Sequence, residues 1–190
     1  VYEDLPPALA GQLHAAQAED DRRAAADADP RLLVTAAHWY VEVLGWPVFP
    51  LTPQAKTPHG RLAPHGFKDA STELAVVTAW WQHEPTANIG TPTGLLFDVI
   101  DIDGPAGYQS YVGLRDSGGL PQVLARSMTG VGQHLLIPAT PEFGNAQAVW
   151  PGVDIRGTGG YIVLPPSLHP CGRRYRWDDT HAPLSLPVAA

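Results

Sequence analysis

The chain has 190 residues, a formal net charge of −7 and a single cysteine, with 44% hydrophobic and 16% charged residues. One cysteine excludes an intrachain disulfide framework and any four-cysteine zinc site, and no stretch approaches the roughly 20 apolar residues of a membrane-spanning helix. Seven acids against two arginines give residues 1–30 a charge of −5, so the rest carries only −2, which neither excludes nor favours a polyanionic partner.

Residues 1–30 are Ala-rich and acidic and lack a charged-then-apolar leader, which reads as a soluble, cytoplasmic protein. They predict a loosely attached helix over roughly 8–26, a helical appendage to a domain at 31–190. Asp29-Pro30 supplies an N-cap and a first helical position. Leu33, Ala36, Ala37, Tyr40, Val41 and Leu44 follow at helical spacing, and Gly45 ends that helix. Residues 48–51 read as a short strand, and 52–68 as a loop rich in Pro, Gly and His that holds Lys56. A second helix begins at Ser71 or Thr72, with Leu74, Val77, Trp80 and Trp81 on its buried side, and stops before Pro85.

Residues 88–90 and 95–103 read as strands around the Thr93-Gly94 turn, and 108–114 as a helix broken by Ser117-Gly118-Gly119. Residues 125–128 and 134–137 predict a strand pair around the glycine turn 129–132, and 153–156 with 161–164 predict another around 157–160. Helices and strands interleave without a regular βαβ period, which points to an α+β fold with a mostly antiparallel or mixed sheet.

Chemistry concentrates on the strand ending Val99-Ile100-Asp101-Ile102-Asp103, where alternation puts both carboxylates on one face. Like charges at that spacing repel unless a divalent cation lies between them. Mg²⁺ and Mn²⁺ sites use one or two carboxylates plus substrate phosphates. The plain alternative is a solvated strand end turning at Asp103-Gly104-Pro105. His134 follows a glycine-rich turn and by itself equally suits a core or edge histidine. Asp154 and Arg156 share a strand face and by themselves form a surface ion pair. Together these five residues sit on short apolar strands that can aim them at one sheet face, offering oxygen ligands to metal and donors to phosphate.

In chain order, Gly45-Trp46-Pro47-Val48-Phe49-Pro50-Leu51, Lys56-Thr57-Pro58-His59-Gly60, Gly66-Phe67-Lys68-Asp69-Ala70-Ser71 and Ala87-Asn88-Ile89-Gly90 are followed by Asp101-Ile102-Asp103-Gly104. Gly130-Val131-Gly132-Gln133-His134, Val153-Asp154-Ile155-Arg156-Gly157 and Pro165-Pro166-Ser167 complete the series. Over roughly residues 34–178 this order resembles the bifunctional DNA primase/polymerase N-terminal domain, the prim-pol branch of the archaeo-eukaryotic primase superfamily.

The resemblance implies an RRM-like sheet with flanking helices. It implies that Asp101, Asp103 and Asp154 are the acids of a two-metal nucleotidyltransferase holding two Mg²⁺ or Mn²⁺ ions, and that His134 contacts the triphosphate of the incoming nucleotide. Arg156, Lys56 and Ser167 are further candidates for the nucleotide. Arg173, Arg174 and Arg176, the densest basic cluster, are candidates for the DNA backbone, with solvated surface charge as the plain alternative. Nucleoside triphosphates, a single-stranded DNA template and primer, and a helicase domain or protein are the implied partners.

Two departures stand out. Gly132 occupies the place where related primases often carry a serine two residues before the histidine, so a hydroxyl contact is either missing or comes from Ser127 or Thr129. Cys171, even with His169 beside it, cannot build the zinc element of some members, which favours primer extension over de novo priming. A metal-dependent nuclease or phosphohydrolase, and a non-catalytic single-strand-binding module, remain the rival readings. Trp150 and Trp177 are candidates for base stacking.

Overall fold

The computed structural model describes residues 29–140 and 144–183. The helix expected over 8–26 lies outside them. The chain divides after Leu32 into two units, and every strand among the described residues belongs to the second. In chain order these residues form α1 (Leu32–Glu42), β1 (Phe49–Leu51), a 3₁₀ turn (Gly66–Asp69), α2 (Leu74–His83), β2 (Asn88–Pro92) and β3 (Phe97–Asp103). Then follow α3 (Gly104–Asp116), β4 (Ala125–Met128), β5 (Gly132–Pro138), β6 (Ala146–Trp150), β7 (Val153–Arg156), β8 (Tyr161–Leu164) and β9 (Arg176–Trp177). The fold is α+β, with two sheets that are antiparallel throughout: β6-β7-β3-β5-β4-β9 and β1-β2-β8.

The helix starts obey local chemistry. The Asp29 carboxylate accepts the Arg31 backbone N–H at 2.8 Å, an N-cap bond that satisfies one orphan donor of the first turn. α2 buries a narrower stripe than its pattern predicts: Val77 and Trp81 face inward, Trp80 is half-buried, and Leu74 is 38% exposed. α3 begins four residues earlier than expected. Gly104, at φ +64, turns the chain straight out of β3, and Pro105 in the first turn gives up no helical hydrogen bond.

The two faces of the larger sheet differ. Ile100, Ile102, Leu135, Ile137, Val153 and Ile155 point to the face covered by Tyr111 of α3. On the other face, Phe97, Val99, Ala125 and Leu136 pack with the smaller sheet's Ile89, Ile162 and Leu164 and with Ala37, Tyr40, Val77 and Trp81 of the first two helices. Because β5 is covered on both faces, it reads as a near-continuous apolar run broken only where function or a turn intrudes.

The pair expected between 153–156 and 161–164 does not form. β7 pairs with β3 in the larger sheet, whereas β8 pairs with β2 in the smaller one. The connecting loop crosses between sheets because its polar backbone is tied sideways to the β2–β3 turn. Thr93 donates its hydroxyl to Gly157 O at 2.7 Å and its N–H to Gly160 O at 3.0 Å. Gly94, at φ +88, lies so close that a Cβ there would sit 2.3 Å from the Thr158 Cα. β6 and β9 were not foreseen: β6 is an exposed edge strand with no buried alternation, and β9 has only two residues.

Candidate active site

The core face of the larger sheet changes character partway along its strands. On β3, buried Phe97 and Val99 give way to Asp101 and Asp103; on β5, Leu136 gives way to His134; on β4, Ala125 gives way to Ser127. The register aligns these polar residues into one transverse row. Asp101 stands opposite Asp154 on one side and His134 on the other, and His134 stands opposite Ser127. Directly opposed residues have Cβ atoms about 4.5–5.5 Å apart, so the row is a consequence of pairing and needs no loop to assemble it.

A pocket of about 230 Å³ opens over this row. Asp101, Asp103, His134 and Arg156 form its floor, and Lys56 enters from the loop after β1. The opposite wall comes from the smaller sheet through Tyr161, Ile162 and Val163, with Asn145 and Tyr175 at the sides. Sequence reading gave Tyr161, Tyr175 and Asn145 no role. Tyr161 falls in the strand predicted over 161–164, but only the meeting of the two sheets makes these residues neighbours of the acids.

Ion pairs knit the floor. His134 Nε2 lies 3.4 Å from Asp101 Oδ1, and Arg156 Nη2 lies 3.2 Å from Asp101 Oδ2 and 2.7 Å from Asp154 Oδ2. Asp154 also accepts the Ala148 N–H at 2.8 Å. A bulge in β6 makes that contact possible: Ala148 adopts φ +52 where the pairing with β7 shifts register, and this turns its amide toward the carboxylate. Burial lowers the basicity of His134, with Lys56 and Arg156 pushing the same way against the Asp101 and Asp103 carboxylates. Burial, reinforced by the same two carboxylates, raises Tyr175 above an ordinary tyrosine.

Carboxylate oxygens are the donors Mg²⁺ and Mn²⁺ take. Asp101 and Asp103 present them in one pocket, and Asp103 caps α3 without giving its side chain to the helix N–H groups. That pair fits an ion whose remaining ligands come from a phosphate-bearing substrate. Among the described residues, no three His, Cys, Asp or Glu side chains converge to hold an ion unaided. Asp154 belongs to the row but does not line the pocket, its carboxylate being engaged by Arg156 and Ala148.

Other candidates have different surroundings. Ser167, expected beside a nucleotide, is fully buried, and its hydroxyl accepts the Ile89 N–H at 2.8 Å; it secures the turn after β8 to β2 and stands away from the pocket. Arg173 donates to Gly130 O at 3.3 Å and Arg174 to Pro166 O at 3.0 Å, and neither they nor Arg176 line the pocket. His169 is buried and accepts the Cys171 N–H at 3.1 Å. Trp177 donates its indole N–H to the Tyr40 hydroxyl at 2.9 Å, which makes it part of the packing, while Trp150 is 43% exposed on β6.

Neither Ser127 nor Thr129 lines the pocket. Thr129 accepts the Gly132 N–H at 2.8 Å and so closes the β4–β5 turn, whereas Ser127 lies directly across from His134. Gly132 itself has no room for a side chain, since a Cβ there would sit 1.9 Å from Ile102 O.

An antiparallel sheet here brings paired carboxylates beside a lysine, an arginine and a buried histidine, donors and acceptors with the chemistry to take a cation and phosphate oxygens. The Prim-Pol family model, described as bifunctional DNA primase/polymerase, N-terminal, matches residues 37–189. The chain therefore belongs to that family of primase/polymerase-type nucleotidyltransferases. No curated protein matches it.

Proposed function

We propose that this protein adds nucleotides to a 3′-hydroxyl on a single-stranded DNA template, by metal-assisted nucleotidyl transfer. One observation carries the reading: Asp101, Asp103, His134, Arg156 and Lys56 share one pocket, so acids fit for a divalent cation lie beside three groups fit for a triphosphate.

Asp101 and Asp103 would hold Mg²⁺ or Mn²⁺, with Asp154, kept beside Asp101 by the β3–β7 register, as the third acid of the set. Such ions would supply the Lewis acidity that activates a 3′-hydroxyl and offsets charge on pyrophosphate. His134 donates a ring N–H to a phosphate oxygen. Arg156 offers a planar fork to phosphate and Lys56 a mobile point charge. The exposed arginines Arg173, ahead of β9, and Arg176, on β9, serve the DNA backbone.

Primer extension on a single-stranded template, run with each metal, tests the reading. Asp101→Ala abolishes extension while the circular dichroism spectrum stays that of wild type. Extension by that variant at the wild-type rate would overturn the assignment. Labelled single-stranded DNA degraded without added nucleotides would favour a nuclease, and tight DNA binding indifferent to metal and nucleotide would favour a non-catalytic module.

A further inference from the structure

We infer that Asn88 and Tyr161 are positioning residues that hold Lys56 in place for a nucleoside triphosphate, an inference that rests on the nucleotidyl-transfer reading. Lys56 lies in the 52–58 loop, directly before Thr57. The loop's own bonds close its base and its first turn: Leu51 bridges Pro58, Thr52 donates its N–H to Thr57 O at 2.9 Å, and Ala55 donates to Thr52 O at 3.1 Å, and none of these three involves Lys56. An exposed lysine in a surface loop without a further anchor samples many conformations.

Two side chains of the smaller sheet supply that anchor. Asn88 is 1% exposed, and its amide nitrogen donates to Ala55 O at 2.9 Å and to Leu168 O at 2.8 Å. Its carbonyl oxygen accepts the Leu168 N–H at 2.8 Å, so the buried amide leaves little of its bonding capacity unused. Tyr161 donates its hydroxyl to Lys56 O at 3.1 Å, while its ring packs edge-on against Phe49 and stacks on Phe67.

Successive carbonyls, of Ala55 and Lys56, are thus tied to residues near opposite ends of the β2–β8 ladder. The lysine's backbone is preset, and its side chain alone is left to order on binding. Ordering before binding removes that cost from the affinity. Lys56 lines the pocket together with Asp101, Asp103 and His134.

The test is a thermodynamic cycle on the full chain, with Mg·dATP binding measured by titration and KM and kcat by primer extension. Tyr161→Phe keeps the ring and removes only the anchoring hydroxyl. It weakens Mg·dATP binding about three- to tenfold, the size of one lost hydrogen bond, and the loss falls on KM more than on kcat. In a Lys56→Ala background the same change adds almost nothing, because there is no ammonium left to position. Asn88→Asp, which turns an acceptor toward two carbonyls, follows the same pattern.

Fully multiplicative effects of Tyr161→Phe and Lys56→Ala, or unchanged affinity in Tyr161→Phe, overturn the positioning role while leaving nucleotidyl transfer standing. A wild-type protein that neither binds Mg·dATP nor extends a primer overturns the functional reading itself.

Discussion

One guanidinium nitrogen shared between Asp101 and Asp154 sets the electrostatics of the pocket floor. Arg156 is a cation placed between two carboxylates that the sheet register forces into adjacent positions. Removing it leaves two neighbouring acids with less compensation, which is costly for partly buried charge. Arg156→Gln therefore lowers the melting temperature in metal-free buffer, and millimolar Mg²⁺ restores more stability to this variant than to wild type by mass action on the freed acids. Equal Mg²⁺ responses in a thermal-shift titration would show that these carboxylates do not take the ion.

Asp98, on the same strand but facing the other way, makes a pH prediction. Its carboxylate is fully buried, among the described residues accepts only the Thr140 N–H at 2.8 Å, and is raised above the ordinary aspartate value chiefly by burial. With the folded value above the unfolded one, the native state holds more protons between the two, so stability falls as pH rises through that window. Asp98→Asn keeps an acceptor for Thr140 and removes the buried charge. Its urea midpoint exceeds wild type at pH 7.5, and the gain shrinks as pH is lowered toward the unfolded aspartate value of about 3.9. A gain that does not change with pH would contradict this account.

Among the elements, the β4–β5 hairpin shows most clearly how local sequence becomes a site. Its glycine turn and its two runs of strand formers are legible along the chain, and the structure has both strands where the pattern puts them. What the pattern cannot express is the closeness of Gly132 to the neighbouring β3 backbone. Gly132→Ser, which restores the hydroxyl that the family resemblance leads one to expect, must push that backbone aside. It costs at least the roughly 1–3 kcal/mol of an overpacked core site and does not raise activity. Chemical denaturation and primer extension on the same variant check both halves. β7 and β8 teach the opposite lesson. Their composition and the intervening glycines suit a hairpin, yet Thr93 and Gly94 capture the connecting loop and send the strands to different sheets. Periodicity reports which face a strand buries and is silent on which strand it joins.

At the scale of the molecule, Tyr40 ties α1 to the ends of both sheets. Its hydroxyl donates to Pro165 O at 2.7 Å, just after β8, and accepts the Trp177 indole N–H at 2.9 Å, on β9. Its ring stacks on Trp46 at 5.7 Å between centroids. Tyr40→Phe keeps the ring and leaves a buried carbonyl and an indole N–H unpaired, at about 1–3 kcal/mol each. Urea denaturation reads this as a lower midpoint with an unchanged slope; wild-type stability would mean that the two sheets are joined by packing alone.

The sequence by itself determined the fold class and the residues that are candidates for the chemistry. Alternation along a strand and turn chemistry are local properties, and Asp101, Asp103, His134 and Arg156 announce themselves through them. Tertiary structure alone decided that Ser167 supports β2, that Asp154 meets Arg156 and a bulged amide, and that Lys56 stands across the pocket on anchors from Asn88 and Tyr161. These facts depend on pairings between residues far apart in the chain, and the free energy that selects such pairings comes from burial and hydrogen bonding between whole surfaces, which no local window of residues contains.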